Sequence, residues 1–424
     1  MIKTYGFCVA LVLAACSSSS SGTTTSTPSA GAAGMMNGGA GASNAGAANG
    51  GSAGAAGAHS GGSAGLAGTG GASGAAGSAG SGGAAGAGTV GNCTPPTDIY
   101  SPIEKLSLTG CVDPTDPRKP IASAVSYEVN SPLWSDSADK ERAFILPAGQ
   151  KIHVRDCVAT PSDCPAGIAD NGRWDFPIGT VMVKIFEFDD KLVETRLLMR
   201  QQSGDWIGYN YQWNEAQTEA TIVDGDRAEA MFNTGTRTVD WHYPSRKDCL
   251  DCHTAQSGST LGPETAQMNR VVGGTNQIDK FTTLGLFETP PPKPYKAALV
   301  TPYPGQMGSP AAGATTEQEA RSYLHANCAF CHRPDGLFPN FDFRYDTAFK
   351  DMKICNAMAM QGTVGTSTST TILSPGHAMD SVMWQRMNQA DPDNGRMPQI
   401  GSYAIDTNAV TLVGNWINAI TSCP

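Results

Sequence analysis

Two five-residue stretches combine residue types that together do specific chemistry: 249–253 reads Cys-Leu-Asp-Cys-His and 328–332 reads Cys-Ala-Phe-Cys-His. In each, two thiols three positions apart share one helical turn, and an imidazole follows directly. This is the geometry for covalent haem attachment, in which each thiol adds to one porphyrin vinyl group and the histidine approaches the iron from the proximal side. Cys249, Cys252, Cys328 and Cys331 are therefore expected thioether anchors, and His253 and His332 expected axial ligands, of two covalently bound haem c groups. Two rival chemistries also use cysteine pairs. A four-thiolate zinc site has no use for a histidine after each second cysteine, and neither motif follows a strand in the β-α-β context of a dithiol redox pair.

The second motif has further support downstream. Met397, in Gly-Arg-Met-Pro at 395–398, stands between an expected helix over 381–389 and the last helix, where a small cytochrome c presents its thioether to the other face of the iron. His/Met ligation fills both axial positions and favours electron transfer over substrate binding. Met379, Met383 and Met387 recur at a four-residue interval and read as one packed helix face instead. For the first motif the sixth ligand stays open among Met268, His242, Met231 and Met307. An unfilled position there would permit peroxidase-like chemistry. No residue is assigned as catalytic.

Positioning these groups is the work of the last 332 residues. Residues 17–92 hold 25 of the 50 glycines and no Lys, Arg, Asp or Glu. That composition cannot offset the entropy of ordering a backbone and reads as a tether, its lone His59 a solvated spacer. The net charge of −10 argues against a nucleic-acid partner. Over 93–243 short alternating segments predict a β-rich, sandwich-like domain. Within it, an alternation over 181–185 and a return over 192–199 predict a hairpin about Asp189 and Asp190, and Tyr209, Tyr211 and Trp213 are expected to share one sheet face. His153, Asp136 and Asp139 have no evident partners in sequence. Residues 244–294 carry the first motif and end in a proline-rich connector at 290–294. Residues 315–424 are expected to form a mainly α-helical domain. It would open on a capping box of Thr316 and Glu319, with Ala320, Tyr323, Leu324 and Cys328 on one face. It would close with Asp406 as N-cap and Val410, Val413, Trp416, Ile417 and Ile420 as an apolar stripe. Cys8 falls in the leader and Cys16 at its end. Of the remaining cysteines, local spacing pairs Cys93 with Cys111 and Cys157 with Cys164, leaving Cys355 with Cys423.

Lys3 and the apolar run 5–13 read as a signal peptide, far short of the roughly 20 residues of a membrane span. The run ends in Leu-Ala-Ala-Cys, which resembles the lipobox of bacterial lipoproteins, with 1–16 as signal and Cys16 as the lipidated first residue. Ser17 then implies the outer membrane. Beyond the tether the chain resembles a family of bacterial two-haem c-type cytochromes. The resemblance rests on SPLWSD (131–136), ADKER (138–142), WDFPIGTVMVK (174–184), ETRLL (194–198), PSRKDCLDCH (244–253), LGPETAQMNR (261–270) and RSYLHANCAFCHRP (321–334), and ends at Met397. The 315–424 module is similar to class I cytochrome c domains. The resemblance implies haem binding and electron transfer in the cell envelope with redox partner proteins it does not identify. In that family a leucine commonly stands where Met268 sits, which weighs against Met268 as a ligand. The expectation is thus an electron carrier rather than an enzyme, with a haem redox enzyme, or a redox subunit docking a dehydrogenase through the β-rich domain, as alternatives.

Overall fold

The hairpin that the sequence announces is the centre of the sheet. Strands β5 (Val181–Phe188) and β6 (Lys191–Arg200) pair antiparallel across Asp189 and Asp190, both with positive φ (49° and 64°). That is the backbone twist a two-residue hairpin turn requires, and Asp tolerates it better than most residues. The computed structural model describes residues 92–164, 170–223, 228–236, 238–304 and 312–424. The signal and lipid-anchor assignments (Cys16 included), the tether up to residue 91 with His59, and Met307 lie outside the described residues.

Strands β1 (Val125–Ser126) and β2 (Asp139–Ile145) precede a short ladder of β3 (His153–Val154) with β4 (Trp174–Asp175). After the hairpin come β7 (Trp206–Trp213), β8 (Ala220–Val223), β9 (Ala228–Asn233) and β10 (Thr238–Tyr243). Six of these form one antiparallel sheet in the order β1-β2-β5-β6-β7-β8, while β9 and β10 pair separately. Alternation sends Val181, Val183, Ile185, Tyr209, Tyr211 and Trp213 to one face, where they pack with Leu106 and the Cys93–Cys111 disulfide.

The sandwich-like expectation fails on the other face. Phe144, Met182 and Leu198 pack not against a large second sheet but in one cluster with Met268, Ile278 and Phe281, joined by Trp174 of the short β3–β4 ladder. These come from helices α2 (Thr265–Met268) and α3 (Gln277–Thr283), which follow α1 (Arg246–Cys252) and flank a small β11 (Val271–Val272) and β12 (Thr275–Asn276) pair. A helical layer therefore does the work a second sheet was expected to do.

A mainly α-helical 315–424 is overturned too. Only α4 (Thr316–Asn327), α5 (Val382–Met387) and α6 (Thr407–Ala419) are α-helices there. Between α4 and α5 the chain runs in turns, bends and two 3-10 turns, Phe349–Asp351 and Ala378–Asp380. Gly, Pro, Asn, Asp, Ser and Thr crowd that stretch and compete locally with helix formation. The cap of α4 falls one residue early. Thr315 accepts from the Gln318 amide and Gln318 from the Thr315 amide, at 3.2 and 2.9 Å. Met379 lies in a 3-10 turn and is exposed, so the methionine stripe does not form. Asp406 caps α6 as expected, accepting from the Ala409 amide at 3.0 Å, and Val413, Trp416 and Ile417 join Ala320, Tyr323 and Leu324 in one core. Among the described residues no helix is long and apolar enough to cross a membrane.

All three expected disulfides form, the third tying Cys355 to Cys423 across 68 residues. Closing so long a loop restricts the unfolded chain. Replacing both Cys355 and Cys423 by serine should lower stability by about 2–4 kcal/mol, read as a fall in the urea midpoint under non-reducing conditions.

Candidate functional site

The first motif is laid directly on the sheet. β10 passes through Pro244 into Ser245, which caps α1 in a reciprocal box with Asp248 (3.2 and 3.0 Å). The His253 amide donates to the Cys249 carbonyl at 2.9 Å, so one helical turn brings the thiols and the imidazole together. Cys249 packs so tightly over β7 that a Cβ on Gly208 would lie 2.7 Å from its sulfur. His253 Nδ1 is hydrogen-bonded to the Ser259 carbonyl, which leaves Nε2 as the available ring nitrogen. Burial first, then Lys184, pushes this imidazole down to about 3, keeping it neutral, the form that ligates iron.

Above this turn is a cavity of about 60 Å³ walled by Lys184, Arg196, His242, Tyr403 and Trp134 around Cys249, Cys252 and His253. Lys184 comes from the sheet face opposite Val183. Desolvation, reinforced by Arg142 and Arg196, brings its ammonium down to about 7. Arg196 grips the fully buried Glu194 (2.9 and 3.0 Å).

The second motif repeats the turn in a different setting. α4 ends at Asn327, and the His332 amide donates to the Cys328 carbonyl at 2.9 Å. The cavity it faces is about 370 Å³ and mainly apolar, within the range of about 300–1,000 Å³ usual for bound small molecules. Cys328, Cys331 and His332 line it together with Phe338, Phe341, Phe343, Met383 and Met397. Phe338, Phe341 and Phe343 ring the His332 imidazole at 5.4 to 5.9 Å between centroids. Burial pushes that imidazole down to about 4, the Phe338 backbone opposing.

Met397 reaches this cavity on a loop fastened by two arginines. Arg386 of α5 donates to the Gly395 carbonyl at 2.8 Å and to Gln361 at 2.9 Å, and its own carbonyl accepts from the Met397 amide at 3.0 Å. Arg396 reaches Ser402 and Ala404, at 3.2 and 3.1 Å. Gly395 is needed twice, for a φ of 89° and because the Arg386 guanidinium lies 2.9 Å from where a Cβ would stand.

Sequence reading missed the residues that hold the two motif regions together. Asp136 accepts from the Tyr403 and Ala404 amides, each at 2.7 Å, and so sets the loop carrying Tyr403. Glu264 pairs with His325 of α4 at 2.8 Å. Asp170 meets Arg155, Arg173 and Arg333 at 3.2, 3.0 and 2.8 Å, joining the β3–β4 region to the residue after the second motif. His153 likewise sits between Asp163 and Glu288, both at 3.1 Å. The sequence signal was limited to the phrases at 131–136, 261–270 and 321–334, which contain Asp136, Glu264, His325 and Arg333 without saying what they touch.

Among the open distal candidates for the first motif, Met268 is fully buried in a separate cluster and Met231 is 68% exposed on β9. His242 lines the His253 cavity, stacked on Tyr403 at 3.5 Å. Among the described residues no group of three or more His, Cys, Asp or Glu is placed to hold a metal ion, so the four motif thiols do not converge as a zinc site would need. Burial raises all four thiols, Cys252 and Cys328 to about 12 and Cys331 to about 11, the reverse of an activated dithiol. No family model, no curated protein and no solved structure matches the chain.

Two tests follow from this geometry. Gly208→Ala would ordinarily be neutral or helpful in a strand, but the 2.7 Å approach to Cys249 should make it cost about 1–3 kcal/mol, measured by urea denaturation. For Glu264, burial pushes the carboxyl up, but His325, then Lys296 and Arg173, outweigh it and hold it at about 2. A carboxyl lowered on folding contributes fully above its unfolded value of about 4.3 and loses that contribution as pH falls toward its folded value. The stability gap between wild type and Glu264→Gln, followed by denaturation at a series of pH values, should therefore be widest near neutrality and close on acidification.

Proposed function

We propose that the protein is a dihaem c-type cytochrome that carries electrons in the bacterial cell envelope, anchored through a lipid on Cys16. The observation that carries this reading is the second cavity. Cys328, Cys331 and His332 line the same mainly apolar space as Met397, 65 residues on in the chain. Bound there, haem iron with two protein axial ligands exchanges one electron at a time without bonding a substrate. The residues present fit that group. Cys328 and Cys331 would anchor it, His332 and Met397 would hold the iron, and the phenylalanine walls would exclude water and so tune its potential.

For the first motif the proximal donors fit, with Cys249 and Cys252 as anchors and a neutral, oriented His253 as ligand, while no distal ligand is assigned. Lys184 and Arg196 supply positive charge for an acidic cofactor. The cavity itself is narrow, about 60 Å³, and its Arg196 wall is held by Glu194. Three disulfides support maturation outside the reducing cytoplasm, in keeping with the export signal. The resemblance to bacterial two-haem cytochromes points the same way, and the physiological partners would be redox proteins.

The purified protein should show two covalent haems per chain in a pyridine haemochrome assay, and one after Cys328→Ala with Cys331→Ala. Met397→Ala should turn one low-spin centre high-spin in electron paramagnetic resonance (EPR). A chain without covalent haem would overturn the reading.

A further inference from the structure

We propose that the two attachment motifs are interlocked, each forming part of the wall of the other's cavity, so that the two centres work as one electrically coupled pair. This deepens the dihaem reading and rests on it. Phe330 stands between Cys328 and Cys331, yet it lines the cavity of the first motif beside Cys249, Cys252 and His253. Asp251 stands between Cys249 and Cys252, yet it lines the cavity of the second motif beside Cys331, His332 and Met397. Trp134, Pro398 and Ile400 are common to both cavities, as is Phe330. The partition between the two spaces is therefore one layer of side chains.

That layer is held rigidly. The Trp134 amide donates to Asn327 at the end of α4 (2.7 Å), and its indole donates to the Ala404 carbonyl (3.0 Å). Glu264, at the start of α2, pairs with His325 of the same α4 helix at 2.8 Å. Across a thin apolar wall charge is poorly screened, so an electron on one side is felt on the other. With haem bound at both motifs, Phe330 and Trp134 would stand between the two groups, and a single electron would pass from one to the other. In that exchange one iron would be oxidised and the other reduced, with no bond made or broken and no proton moved. A small-molecule one-electron reductant supplies the electrons in the experiment.

Asp251 gives the most discriminating handle, because it belongs to the first motif by sequence and to the second cavity by position. Its side chain is 42% exposed and paired with Lys247 at 3.2 Å, so Asp251→Asn leaves the core untouched. Removing its negative charge should raise the midpoint potential of the His332–Met397 centre in an EPR-monitored redox titration. Phe330→Leu should shift the EPR signals of both centres, whereas Phe338→Leu, at a residue lining only the second cavity, should shift one. The oxidised wild-type spectrum should also differ from the sum of two single-haem variants, Cys249→Ala with Cys252→Ala and Cys328→Ala with Cys331→Ala. Two covalent haems with an additive spectrum, and a second-centre midpoint that Asp251→Asn leaves unmoved, would overturn the interlock while leaving the dihaem reading standing. Absence of covalent haem would overturn both.

Discussion

The segment 130–136 makes almost no secondary structure of its own, and its backbone must still be satisfied. The partners come from distant parts of the chain. Gln267 of α2 accepts from the Ser131 amide and donates to its carbonyl, at 2.9 and 2.8 Å. Ser131 donates its hydroxyl to Ser322 of α4 at 2.9 Å, and Asn327 takes the Trp134 amide. Asp136 then accepts two amides from the 403–404 loop. A buried backbone group without a partner costs about as much as a lost hydrogen bond, so the sheet, the first-motif segment and the C-terminal helices are held to one another by this strip. Both cavities are bounded by it through Trp134.

What could be read in the sequence was local. The motifs, the Asp189–Asp190 turn, the Asp406 cap and two short-range disulfides each involve residues within about one turn or one loop of each other. The third disulfide followed once the others were assigned. Met397 was legible because it stands just before the last helix, and it does line the cavity of the second motif. The helical content of 315–424 was overestimated because two good helices at its ends were taken as typical of what lies between. There, Asn, Asp, Ser and Gly offer the backbone other hydrogen bonds. The sandwich expectation failed for a related reason. A near-continuous apolar strand such as Val181–Phe188 shows that both faces are buried, but not whether a sheet or a helix covers the second.

Least legible were the charged groups. Asp136 reads as an ordinary surface acid, and Glu264 and His325 are 61 residues apart in the chain. Their significance lies entirely in being brought together in a place where water is scarce. The same holds for Lys184, an alternating strand residue by pattern that becomes a desolvated cation over the first motif. Period-two reasoning places such a side chain on a face but says nothing of the dielectric it meets.

The Cys355–Cys423 bond has a meaning beyond stability. Everything between those residues, including α5, α6 and the loop that bears Met397, belongs to a closed covalent ring whose two ends are joined beside the C-terminus. A loop in a free tail can fray away with the end of the chain; a loop in a ring can only bulge. If the arginine fastenings at Gly395 and Ser402 let go, the Met397 loop still stays inside the ring closed by Cys355 and Cys423. The last stretch of the chain behaves less as a terminus than as a hinged cover, fixed along both edges.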